Sequence, residues 1–145
     1  MAKGLLDLDA RLEKKKATID KAASDLAAFV ALSVTEELAD VTPVDTSKAI
    51  SNWQIGLGSP VVDEIEPHFF GSKGSTELIS EDATVIAARM KLRSKKPGQI
   101  VYLSNTAKYI KDLDQGSSLQ EPAGFVKRAC DNGRRLAKTT KLELK

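Results

Sequence analysis

Residues that carry chemistry are scarce in this sequence: one cysteine (Cys130), one histidine (His68) and one tryptophan (Trp53) among 145 residues, with aromatics at 5%. A single cysteine excludes an internal disulfide. His68 has no second histidine or cysteine at ligand spacing, so a zinc-type site is not expected. Neither a Ser/His/Asp nor a Cys/His arrangement is signposted, because a nucleophile needs a base and an oxyanion stabiliser within reach. Gly56-Leu57-Gly58 lacks the further glycine and the strand-to-helix setting of a dinucleotide loop, and no Walker-type Gly-Lys-Ser/Thr occurs. Acids are plentiful, yet Asp45, Asp63, Glu64, Asp112 and Asp114 show no recognisable metal-binding spacing. The expectation is a protein without catalysis and without a cofactor.

Long apolar runs are also missing. A bilayer span needs roughly 20 residues, and the best stretch, from Ala22 to Val34, is shorter and carries Asp25. No basic segment followed by an apolar one opens the sequence, and Met-Ala lacks the glycine of a myristoylation signal, so synthesis in a cytoplasm without membrane attachment is expected. Charge of one sign is lacking too: 29% of residues are charged, but the formal net charge is only +2. A dedicated nucleic-acid binder draws its affinity from neutralising phosphates and shows a larger basic excess.

What is present suits one domain with one core. The hydrophobic fraction of 41% rests on Leu, Ile, Val and Ala. So thin a core favours a subunit that gains stability against neighbours.

From about residue 9 to 39, Ile19, Ala23, Leu26, Val30, Val34 and Leu38 fall three or four apart, predicting a long amphipathic helix. Phe29 and Leu32 lie off that stripe and mark either deep packing or a second partner. Lys14-Lys15-Lys16 reads as a solvated stretch. Thr42-Pro43 ends the helix, because the residue before proline is pushed out of the helical region. Asp45, Thr46 and Ser47 are suitable N-caps for a short helix over 47–52. Trp53 to Leu57 alternates as a half-buried strand does, and Gly58-Ser59-Pro60 closes it. Residues 60–74 read as a projecting loop whose Phe69 and Phe70 either dock a partner or fold back.

A middle helix is expected from Thr76 or Ser80 to Leu92, with Ile79, Ala83, Ile86, Ala87 and Met90 on one face and Ser80 as its cap. Arg89, Lys91, Arg93, Lys95 and Lys96 follow at its basic end, as suits a helix C-terminus. Ile100 to Leu103 is the clearest strand. Tyr109, Ile110 and Leu113 share one side of a helical turn that Gly116-Ser117-Ser118 breaks. Pro122 suits the first turn of a last helix, with Phe125, Val126, Ala129, Cys130, Gly133, Leu136 and Ala137 inward. Lys127, Arg128, Arg134, Arg135 and Lys138 make its other face basic. A solvated face, a passage for DNA and pairing with acidic neighbours all remain open for it.

Thr42-Pro43-Val44-Asp45-Thr46, then Asn52-Trp53, the strand end Tyr102-Leu103-Ser104-Asn105, the turn at Tyr109-Ile110 and Gln120-Glu121-Pro122-Ala123-Gly124 occur in order. Together they resemble the neck and tail-completion proteins of tailed bacteriophages, the head-to-tail joining, tail-terminator-like minor tail components. The similarity runs from about residue 42 to 129 and is loose over 60–98. It departs at Ser47, where this family commonly places glycine, which leaves the backbone after Thr46 open.

The resemblance implies an α+β fold, a small antiparallel sheet packed by the long N-terminal, middle and C-terminal helices. It implies a homo-oligomeric, sixfold ring in the virion, joining the portal-bound connector to tail proteins around the channel for genomic DNA, after synthesis in the host bacterial cytoplasm. Asp45, Thr46, Trp53, Tyr102, Asn105, Tyr109, Pro122 and Gly124 would be structural, with Trp53, Tyr102 and Tyr109 bracing the core. Phe29, Leu32, Phe69 and Phe70 are candidate ring or neck contacts. Lys95, Lys96, Arg128, Arg134 and Arg135 are candidate contacts to channel DNA or an acidic partner. The alternative is a DNA-binding accessory protein that uses the basic C-terminal helix.

Overall fold

The computed structural model describes residues 2–144. Helix α1 (Ala2–Val41) is about 60 Å long at 1.5 Å per residue, and its C-terminal half is the spine of the molecule. A one-turn helix α2 (Lys48–Ser51) leads into strand β1 (Trp53–Leu57). Helix α3 (Glu77–Leu92), strand β2 (Val101–Asn105), the short α4 (Ile110–Asp114) and α5 (Phe125–Thr139) follow. The two strands pair antiparallel, with Trp53 opposite Asn105 and Leu57 opposite Val101. The architecture is α+β, with one two-stranded sheet beside three substantial helices.

Three apolar clusters lie along the spine. Leu38, Trp53, Phe125 and Ala129 form one, with Val34, Leu103 and Ile110 packed on it. Ala39, Val44 and Ile50 meet Val85 in the second. Ile55, Ala88 and Leu92 meet Ala28, Ala31 and Leu32 in the third. Helix α5 crosses α1 closely at Gly133, where a β-carbon would come within 2.5 Å of a Val34 methyl group. Glycine there is a packing requirement.

The middle helix has the expected extent but the opposite face inward. Ser80, Thr84, Ala88 and Leu92 are buried, whereas Ile79, Ile86 and Met90 point to solvent. Small residues every fourth position let α3 approach the body closely, and the Thr84 hydroxyl is satisfied by the Ser80 and Ile50 carbonyls. Ser80 is not the cap, since the helix begins three residues earlier and its hydroxyl is buried without a partner.

Other expectations are corrected in the same way. Ile19 is exposed because it precedes the part of α1 on which the body packs, and Ala23 is exposed because it faces outward between the buried Ala22 and Ser24. Pro122 lies before α5, whose N-cap is Gly124 at φ 82°. Cys130 and Ala137 are exposed, since the face of α5 that meets α1 is the narrow stripe Phe125, Ala129 and Gly133. Tyr109 is at the surface and Tyr102 half-buried, so of the three aromatics expected to brace the core only Trp53 is buried.

Candidate assembly surfaces

The sequence elements that carry the resemblance meet at one corner of the fold. α1 ends where the Thr42 hydroxyl donates to the Leu38 carbonyl, and the Trp53 indole N–H in turn donates to that hydroxyl at 2.8 Å. Two residues on, Val44 exchanges a pair of hydrogen bonds with the side-chain amide of Gln120: its N–H donates to Oε1 at 2.9 Å, and Nε2 donates to its carbonyl at 3.1 Å. Asn105 Nδ2 donates to the Ala49 carbonyl at 2.8 Å, tying the end of β2 to α2. Segments far apart in sequence thereby fix the bend between α1 and α2.

Asp45 does not cap α2. Its Oδ1 accepts from the Lys73 N–H at 2.6 Å, and its carbonyl accepts from the Gly74 N–H, so it fastens the far end of the long loop. Thr46 is exposed beside it. Ser47 takes the left-handed conformation, φ 65° and ψ 6°, in which a side chain is disfavoured by roughly 1–2 kcal/mol. Its buried hydroxyl bonds that of Thr76 at 2.7 Å and offsets part of this cost. Glycine would take this backbone geometry without strain.

Asn52 is fully buried and anchors the near end of the loop. Its Oδ1 accepts from the Ile65 N–H at 2.9 Å and from the Thr106 hydroxyl at 3.1 Å, and its Nδ2 donates to the Ile65 and Lys48 carbonyls. The Lys48–Glu64 ion pair supports the same junction. The hydrogen bond between them raises the Lys48 pKa and lowers that of Glu64. His68 is half-buried, with its backbone N–H donating to the Ser51 hydroxyl, and burial lowers the pKa of its imidazole. Beyond these ties the loop presents Phe69 and Phe70 to solvent, Phe70 at 75% exposure.

The other candidate contacts are scattered. Phe29 is half-exposed in a groove of about 420 Å³, lined also by Ala22, Leu26 and Leu142 between α1 and the C-terminal tail. Leu32 packs in the third cluster. The basic residues are largely engaged within the molecule. Lys95 donates to Ser24 at 2.7 Å. Arg128 pairs with Glu121 and bonds the Ala123 and Pro122 carbonyls. Lys127 and Arg134 share Asp131, whose pKa is lowered chiefly by the Lys127 hydrogen bond. Arg135 contacts Asn132, and Lys96 is exposed.

Two features escaped the sequence reading. Asp114 closes the start of α5 from outside the helix: its Oδ1 accepts from the Val126 N–H at 3.0 Å and its carbonyl from the Gly124 N–H at 2.7 Å. A carboxylate at a helix N-terminus also complements the helix dipole. The second is the amount of apolar surface left on helices. Leu5, Leu6, Leu8 and Leu12 stand on the projecting part of α1, Leu5 and Leu6 at 69%, and Leu78, Ile79, Ile86 and Met90 stand on the outer side of α3. The apolar spacing of α3 was visible in the sequence, but its outward direction was not.

Among the described residues no group of three or more His, Cys, Asp or Glu is placed to hold a metal ion, and no helix is long and apolar enough to cross a membrane. Protein-family models, curated proteins and solved structures provide no match to this chain.

Proposed function

We propose that this chain is a structural protein of the tailed-phage neck or tail-completion complex. It works as a homo-oligomeric ring, sixfold by the resemblance, between the portal-bound connector and tail proteins around the DNA channel. The observation that carries this reading is the unpartnered apolar surface on two helices, Leu5, Leu6, Leu8 and Leu12 on one and Ile79, Ile86 and Met90 on the other. Exposed apolar stretches of that extent mark surfaces that meet other proteins. Two further facts support it. The matching sequence elements touch one another through Trp53–Thr42 and Gln120–Val44, and Ser47 has the backbone geometry that favours the glycine common in this family.

The alternative, a DNA-binding accessory protein, needs Arg128 for phosphate, which Glu121 and the Ala123 and Pro122 carbonyls already hold, and a formal net charge of only +2 counts against it. Mass spectrometry and imaging of purified virions test the proposal, together with DNA titration of the free protein at two salt concentrations. Presence at the head-to-tail joint with weak free DNA affinity is the expected result. Absence from particles, or tight and steeply salt-dependent DNA binding by a monomer, refutes it.

A further inference from the structure

The first part of α1 and the outer face of α3 have the same unmet need. Leu5, Leu8 and Leu12 lie three and four residues apart and form one stripe on the helix. Ile79, Ile86 and Met90, with Ala83 between them, form another. These two stripes cannot meet within one molecule. The Lys95–Ser24 hydrogen bond sets the end of α3 level with Ser24, and Leu8 lies sixteen residues further along the same helix, about 24 Å beyond. The C-terminal tail reaches Arg11, Lys15 and Ile19 through Leu144. Leu5 and Leu8 are beyond that groove.

We propose that the N-terminal helical arm of one copy docks antiparallel on the outer face of α3 of a second copy, with Leu8 level with Ile86. The charges select this partner and this direction. From Gly4 to Glu13 the arm carries three acids, Asp7, Asp9 and Glu13, against one base, Arg11, and Lys14, Lys15 and Lys16 follow. Helix α3 has the complementary order, acidic at its start with Glu77, Glu81 and Asp82 and basic at its end with Arg89, Lys91 and Arg93. With Leu8 level with Ile86, antiparallel docking sets Asp7 within a turn of Arg89, which also pairs with Glu36, and sets Lys14, Lys15 and Lys16 between Glu77 and Glu81, where they also flank Glu13, which falls level with Glu81. The acidic start of α3 is poorly neutralised within the molecule: burial and then the charges of Asp40, Asp82 and Glu77 raise the Glu81 pKa.

Arm and receiving face are different surfaces, so the contact is heterologous. Each copy gives one arm and receives one, which yields a ring where the rotation closes and a filament where it does not. The closed case deepens the neck reading and rests on it; the docking itself does not.

Cys130 is exposed and is the only cysteine, so Cys130→Ser supplies a background for single-cysteine variants Leu8→Cys and Ile86→Cys. Under mild oxidation, an equimolar mixture of the two is expected to give a disulfide-linked dimer that neither variant gives alone. In the same background, Leu8→Asp and Ile86→Asp are each expected to lower the mass seen by light scattering, with circular dichroism and Trp53 emission unchanged. Linkage of Leu8→Cys to itself, absence of the mixed dimer, or a wild-type monomer throughout the concentration range overturns the docking. A mixed dimer from a protein missing from virions would refute the neck reading and leave the docking intact. Presence in virions without the mixed dimer would do the reverse.

Discussion

Replacing Asn52 by alanine removes a side chain that makes close hydrogen bonds to three segments of the chain. The Lys48 carbonyl still accepts from the Asn52 backbone N–H, and the Thr106 hydroxyl keeps its bond to the Asp63 carbonyl. The N–H and C=O of Ile65 lose the Asn52 amide that satisfies both of them. An orphaned buried polar group costs about 1–3 kcal/mol. Ile65 is half-buried, so water recovers part of this, and a loss of about 2–4 kcal/mol is expected. For a chain of this size that corresponds to a drop in Tm of roughly 6–12 °C. Urea unfolding followed by far-ultraviolet circular dichroism measures the loss without depending on the neighbouring Trp53. Limited proteolysis is expected to become faster within residues 59–65, the part of the loop that Asn52 holds. A variant within about 0.5 kcal/mol of wild type, the level of an ordinary surface substitution, would refute the role given to this amide.

Three further outcomes follow from the packing and the one imidazole. Gly133→Ala normally gains about 1 kcal/mol of helix propensity, but the added carbon meets the stiff, β-branched Val34, and a net loss of about 1–2 kcal/mol in chemical denaturation is expected; a gain would show that the α1–α5 crossing can relax. Ser80→Ala removes a buried hydroxyl without a partner and is expected to stabilise by about 1 kcal/mol; destabilisation in the same assay would show that the hydroxyl is satisfied. His68 is expected to titrate below its ordinary 6.5 in a proton NMR titration. Its neutral form is favoured in the folded state, so the unfolded chain takes up the proton first. Stability therefore falls as pH drops from about 6.5 to the lowered folded value and then levels off; a midpoint at or above 6.5 would refute this.

The legible parts of this fold were those set by local chemistry. Thr42-Pro43 ends α1 because of proline sterics, and the strand from Trp53 to Leu57 is bounded by Gly58 and Pro60. The existence of α3 was legible from its period, but its inward face was not. Ile79, Ile86 and Met90 give an apolar stripe, and nothing in periodicity says whether such a stripe meets its own chain or another. Ser80, Thr84 and Ala88 face inward because close helix packing selects small side chains, and that depends on contacts distant in sequence. Asp45 failed as a cap for a related reason: its carboxylate accepts from the backbone N–H of Lys73, 28 residues away. Of the candidate surfaces, Phe69 and Phe70 are exposed as the docking alternative requires, while Arg128 and Lys95 are held by neighbours that the helical pattern could not reveal.

The Gln120 clasp on Val44 joins positions 76 residues apart. While the chain is being synthesised, the corner after the long helix has the Trp53–Thr42 tie early, whereas this clasp waits until the final quarter has left the ribosome. A chain that stops short of Gln120 would leave the N–H and C=O of the buried Val44 without the amide that satisfies both.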